Sequence, residues 1–315
     1  MNSASMPPNL ANLGILHNRG FLPEADPLIS LPDNWRFLDQ FGKELPGLIT
    51  SGKIPEAARS LPIPSADDLG RLFAIERDRA MMIYAFGASA AIHLSKPSER
   101  LLCENIARPL WLLSKSFGKP PILSYCSYVL NNWARIDSSK DIEIDNLALL
   151  QNFIDLKDED WFILIHVDIE KRAAQAIRGS VGAVAAAEGR NDSELIYNLR
   201  NICQGLKNMI ETLKRMPEHC SMDVYFSAVR PWIMFFENVV YEGVEELNYK
   251  PHTFRGETGA QSSILPLLDG ALGIYHERSP LTNHLKEMRI YMPPRHRALI
   301  DQIETTSGVR DFILS

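Results

Sequence analysis

NDSELIYNLRNICQGLKNMIETLKRM, residues 191–216, sets Leu195, Ile196, Leu199, Ile202, Leu206, Met209, Ile210, Leu213 and Met216 at steps of mostly three and four. That is the 3.6-residue period of an amphipathic helix with one buried face. Asn191-Asp-Ser193 supplies the polar start that satisfies the first unpaired N–H groups. The apolar residues of this stripe read as core packing.

Working outward, the same period recurs in both directions. Downstream, residues 249–263 read as a Gly-containing loop, followed by helices from Ser263 to about Tyr275 and from Leu281 to Ile290. Upstream, Trp161 opens another helical stretch, and residues 136–160 are acidic and less periodic, which places a domain junction there. Pro121 to Trp133 reads as helical and apolar on most sides, hence buried. Arg100 to Phe117 reads as a helix ended by Gly118-Lys-Pro-Pro121. Ser65 with Asp67 and Asp68 reads as the N-terminus of a long apolar helix reaching about Leu94. The first sixty-odd residues are Pro-rich, from Pro7 and Pro8 to Pro64, with one short helix near residues 34–49. No segment shows clean strand alternation, so the expected fold class is all-α, of non-bundle type, divided into 1–152 and 153–315.

Composition narrows the function classes. The chain has 315 residues, 45% hydrophobic and 23% charged, with a formal net charge of −6. An acidic balance argues against a nucleic-acid partner, because phosphate binding calls for a basic face. Cys103, Cys126, Cys203 and Cys220 form no CxxC pair and read as reduced thiols. The N-terminus lacks a basic start and an apolar core of a secretory signal. The densest apolar run, residues 161–167, is too short to span a bilayer. The expectation is a cytoplasmic protein with no membrane partner.

Two polar residues stand out in apolar surroundings. Arg230 lies inside the apolar run VYFSAVRPWIMFF, and a buried unpaired guanidinium is too costly to keep. It either pairs with an internal acid to join two helices or binds a ligand carboxylate, to which its fork is matched. Pro231 disfavours helical geometry at Arg230. His166, in WFILIHVDIE, is either a satisfied core histidine or a ligand-positioning group. Gly256 and Gly259 allow close backbone approach and positive φ, or form an ordinary surface turn.

Several motifs occur in a fixed order: VYEG (240–243), FRGETGAQSS (254–263), LGI (272–274) and MRIYMPPRHR (288–297), with PPIL (120–123) through Asn132-Trp133 upstream. In that order they resemble the indoleamine 2,3-dioxygenase family over nearly the whole chain. The resemblance implies a small helical domain contributing the distal-pocket segment and a larger helical domain carrying haem b. It implies insertion of O2 across the indole 2,3 bond of tryptophan or a related indoleamine, giving N-formylkynurenine, in a monomer whose partners are a small-molecule substrate and O2.

On that resemblance, Arg230 takes the substrate carboxylate, with Tyr225 and Phe226 against the indole. Tyr125, Tyr128 and Val129 fall on the distal-pocket segment, where Tyr128 replaces a smaller residue and narrows the pocket. Thr258 and Gly259 fall on the loop at the haem edge, and Ser262 and Ser263 cap the following helix. His166 receives the indole N–H in its neutral form, as the distal histidine does in the related tryptophan 2,3-dioxygenases. His296 reads as a packing or cap residue, not an iron ligand. The family's proximal histidine is expected on a helix beyond the VRDFILS segment (309–315), so the metal ligand is unknown here. The chain is then either a fragment, the favoured reading, or a natural short form. The alternatives are a different tryptophan-derived reaction on the same haem scaffold, and a non-catalytic helical binding protein without the iron ligand.

Overall fold

A computed structural model describes residues 9–15, 18–96 and 100–315. Pro7, Pro8 and half of the N-terminal segment read for a leader, residues 1–20, lie outside the described residues. The helices are α1 (Arg36–Ser51), α2 (Ile54–Ser60), α3 (Ala66–Gly70), α4 (Ala74–Leu94), α5 (Glu104–Phe117), α6 (Lys157–Arg172), α7 (Ala174–Glu188), α8 (Asp192–Lys214), α9 (Met222–Val224), α10 (Ile264–Leu272), α11 (Pro280–Met288), α12 (Pro294–Thr306) and α13 (Val309–Leu314). Short strands join them: β1 (Leu101–Leu102), β2 (Ala134–Arg135), β3 (Leu147–Ala148), β4 (Phe236–Tyr241) and β5 (His252–Phe254). The protein is an all-α fold with minor strands.

The chain forms two compact units. One comprises residues up to Ala25, Ile165–Arg215 and Ala260–Ser315; the other comprises Asp26–Leu164 and Met216–Gly259. The units interleave along the sequence, and the division drawn at 152/153 falls inside the second.

In the second unit α4 is the central element. Met81, Met82, Ile83, Tyr84, Ala85 and Phe86 are all buried in succession, as expected of a helix apolar on every side. α1, α2 and α5 pack on it. Ser65 and Asp68 form the expected reciprocal cap, but it starts only the five-residue α3. The long helix begins afresh at Ala74, where the Glu76 carboxylate accepts the Phe73 N–H at 2.8 Å. Gly118 ends α5 in the left-handed conformation at φ 61°, which costs glycine nothing. β4 is the longest of the five strands that the sequence reading missed. It pairs parallel to β1 through Leu102 opposite Tyr241, and antiparallel to β5 through Val239 opposite His252. A register shift near Asn238, at φ 55°, interrupts β4 and blurs its alternation.

In the first unit, α7 and α8 form a tight pair, and α10, α12 and α13 pack on α7. Asn191 caps α8 as read, its side chain accepting the Glu194 N–H. The stripe is only partly buried. Leu195, Ile202 and Met209 are enclosed, whereas Ile196, Ile210 and Leu213 are each 50% exposed. The reason is a narrow seam of small residues. A Cβ on Gly205 would lie 2.7 Å from the Ala176 nitrogen, and one on Gly179 2.8 Å from the Asn198 oxygen. Backbones this close leave the flanking apolar positions off the contact line. Asp168, almost fully buried, accepts from Arg172 Nε at 2.6 Å and Thr212 Oγ1 at 2.7 Å, fixing α6 to α8.

Candidate active site

The two segments that drew attention in the sequence, residues 121–133 and 224–235, both contain a π-helical turn, over Cys126–Leu130 and Tyr225–Val229. Widened turns of this kind are rare and frequent at functional sites. Residues 121–133 are therefore helical only in part. For the second turn Pro231 gives a reason: it has no N–H, and its ring crowds the carbonyl four residues back. Widening the turn before it removes that conflict, and Arg230 N–H bonds to Tyr225 O instead. Arg230 is itself helical, at φ −52° and ψ −38°, contrary to the expectation drawn from Pro231.

Side-chain amides and carboxylates hold the first turn. Asn132 Nδ2 donates to Tyr128 O at 3.1 Å and Gln151 O at 2.8 Å, while its Oδ1 accepts Gln151 N–H at 2.8 Å. Trp133 Nε1 donates to Leu130 O, and Tyr241 Oη to Pro121 O, tying the segment to β4. The buried Glu159 carboxylate accepts the N–H groups of Phe153 and Ile154 at 2.9–3.1 Å and so places the Phe153 ring. Burial pushes Glu159 up to about 8 despite these donors.

An aromatic wall results. Tyr128 stacks near Phe86 (5.7 Å between centroids) and Phe153 (6.4 Å), and Phe153 continues to Trp232 (6.0 Å). Tyr125, Tyr128 and Val129 are all buried. Tyr225 is half-buried and lies on Phe162 at 4.4 Å, and Phe226 meets Tyr225 edge-on at 5.9 Å while remaining 64% exposed.

Arg230 is exposed, so the premise of a buried guanidinium fails. Its charge bears on the Tyr225 hydroxyl and draws it down. Glu257 is fully enclosed nearby, and burial pushes its carboxyl up to about 8 although Arg230 draws it down. The acid beside Arg230 is therefore mainly uncharged at neutral pH and leaves the guanidinium charge unneutralised. Burial and Glu257 raise the Tyr225 hydroxyl to about 12. The sequence reading quoted the loop holding Glu257 but gave that residue no part. It likewise passed over Phe162, Phe153 and Trp232, whose only signal was aromatic character close to Tyr225 or Arg230.

Thr258 is half-buried and Gly259 exposed. The close approach falls at Gly256, where a Cβ would lie 2.4 Å from Ile233 O; neither glycine has positive φ. His166 belongs to the first unit and is half-buried on α6. In that unit His296 is buried against Phe21 at 4.5 Å and shares a hydrogen bond with Ser263 Oγ, the packing role expected of it. Ser263 thus spends its hydroxyl on His296 rather than on a cap, and Ser262 Oγ accepts Ile264 N–H at 3.4 Å. All four cysteines are free. Among the described residues no group of three or more His, Cys, Asp or Glu side chains gathers as a metal site, and no helix is long and apolar enough to cross a membrane. A cavity of about 590 Å³ in the second unit is lined by Lys43, Leu147, Lys157, Asp160 and Trp161 among others, and by none of the candidate site residues.

The sequence profile of the indoleamine 2,3-dioxygenase family matches residues 9–315. This chain belongs to the indoleamine 2,3-dioxygenase family. It is 29% identical to human indoleamine 2,3-dioxygenase 2 over 99% of its own length and 77% of that protein. It is 32% identical to mouse indoleamine 2,3-dioxygenase 1 over 92% of its length and 72% of that relative. A 6-hydroxytryptophan 2,3-dioxygenase of Fusarium equiseti is 28% identical over 97% of this chain and 76% of the relative. The indoleamine 2,3-dioxygenases are haem-dependent enzymes acting on tryptophan-like indoles with O2, which gives the chain its general chemistry.

Proposed function

We propose that this indoleamine 2,3-dioxygenase opens the 2,3 bond of an indole amino acid, tryptophan or a close derivative, to the N-formylkynurenine product. Arg230 holds the substrate carboxylate. Tyr225, Phe226, Tyr125 and Tyr128 enclose the indole, and Phe162 backs Tyr225. Thr258, Gly259 and Val129 border the haem. When bound, haem b supplies the activation of O2; the chain's own residues bind, orient and keep the ring dry.

The observation that carries this reading is an accessible guanidinium close to a stacked aromatic pair, with the Glu257 carboxyl it acts on raised to about 8 by burial. The side chains on the substrate side suit an apolar, porphyrin-bounded chamber. Tyr125, Tyr128 and Val129 are apolar neighbours, and the buried hydroxyls of Ser124 and Tyr128 have no protein partner. The relative named for 6-hydroxytryptophan leaves the ring substituent of the substrate open.

The experiment is Arg230→Ala, read by tryptophan affinity and by the Soret band. A loss of affinity of about a hundredfold with an unaltered band is expected, as for a charge-assisted pair. Unchanged affinity rules out the carboxylate assignment.

A further inference from the structure

From Ala80 to its end, α4 is apolar except for Tyr84, Ser89 and His93. Phe86, Ser89 and His93 follow one another at steps of three and four, so they share one face of the helix. All three are spent on the segment that follows Arg230. The Phe86 ring meets Phe153 at 4.5 Å, and Phe153 stacks on Trp232 at 6.0 Å. Ser89, 1% exposed, donates its hydroxyl to Trp232 O at 2.5 Å. His93 Nε2 lies 3.2 Å from Met234 O. Burial pushes this imidazole down to about 4, so it is neutral, and facing a carbonyl its Nε2 carries the proton.

A serine inside a helix ordinarily turns its hydroxyl back to the carbonyl four residues earlier. Ser89 instead reaches a residue 143 positions away. The segment it reaches is a four-residue 3-10 turn, Arg230–Ile233, that ends in the extended Met234. Its last carbonyls therefore find no partner in a continuing helix. Behind it Gly256 is pressed close, since a Cβ there would lie 2.4 Å from Ile233 O. Before it, Arg230 N–H bonds to Tyr225 O. The backbone that carries Arg230 is thus pinned just beyond it by two side-chain hydrogen bonds from one helix face.

We propose that Ser89 and His93 are positioning residues for substrate binding: by holding Trp232 O and Met234 O they fix the backbone from which Arg230 reaches a carboxylate. The proposal rests on the carboxylate reading of Arg230. A ligand with a carboxylate gains from a guanidinium set in place beforehand, whereas one without it is indifferent to that placement.

The test is calorimetric binding of L-tryptophan, and of tryptamine, which lacks the carboxylate, to the full chain. Wild type, Ser89→Ala, His93→Leu and His93→Gln are compared, each also combined with Arg230→Ala. Ser89→Ala and His93→Leu are expected to weaken tryptophan by about three- to tenfold and to leave tryptamine unchanged. His93→Gln, which keeps a donor, should recover most of the loss. Once Arg230 is replaced, the same substitutions should have no further effect on tryptophan, as for residues that act through one another. Unchanged tryptophan affinity, equal losses for both ligands, or losses that persist beside Arg230→Ala overturn the proposal and leave the Arg230 reading standing. Tryptophan that fails to bind wild type, or binds Arg230→Ala equally well, ends both readings. The two His93 variants decide by themselves if Ser89→Ala fails to fold.

Discussion

The Arg230 guanidinium acts on the enclosed Glu257 carboxyl and draws it down, yet burial outweighs that pull and holds the acid at about 8. The guanidinium charge is thereby left available. A buried acid held in its neutral form is what makes this arrangement possible.

Binding of a carboxylate ligand should therefore depend on pH through Glu257. Its carboxyl is raised to about 8, so below that pH it is neutral, and above it the new anion competes for Arg230. Affinity for tryptophan is expected to hold steady from pH 6 to 7.5 and to fall at higher pH. Glu257→Gln should flatten this alkaline limb; a limb that persists in the variant assigns it to another group.

Stability should move with pH in the same sense. A carboxyl raised from 4.5 toward 8 in the folded state favours folding fully below 4.5, and that contribution is lost as pH rises through 8. Denaturation midpoints should decline over this window, less so in Glu257→Gln. A midpoint that rises from pH 5 to 8 contradicts the assignment.

The stack of Phe162 on Tyr225 sets Phe162 against the proposed indole site, which the motifs did not reveal. Phe162→Ala should weaken indole affinity by about three- to tenfold, the range of an aromatic pair beyond its buried area. Phe162→Leu should recover part of the loss, because it restores bulk without the ring. Equal affinity in all three forms removes the residue from the site.

Away from the site, Thr212→Val removes a donor from the buried Asp168 and should cost about 1–3 kcal/mol in urea unfolding. Two glycines should respond with opposite signs. Gly205→Ala drives a methyl to 2.7 Å from the Ala176 nitrogen and should destabilise by about 1–3 kcal/mol. Gly47→Ala, in α1 with nothing within 4 Å, should stabilise by about 0.5–1 kcal/mol.

His166→Ala tests the positioning role directly. Weaker tryptophan binding with haem uptake intact is expected, whereas loss of the Soret band would turn the residue into an iron ligand.

Periodicity and capping chemistry in the sequence determined the helices, since both act within one or two turns. α8 begins at its Asn191 cap, α5 ends at Gly118, and α4 is apolar enough around its circumference to be central. The ordered motifs from VYEG to YMPPRHR determined the family. Only the tertiary structure decided that Ile196, Ile210 and Leu213 of the α8 stripe lie half exposed, because the narrowness of the seam depends on Gly179 and Gly205 meeting another helix. It alone decided that Arg230 is exposed, that Glu257 is enclosed beside it, and that the Tyr128 hydroxyl has no partner. Burial and electrostatic environment are made by residues far apart in the chain, and no local pattern encodes them.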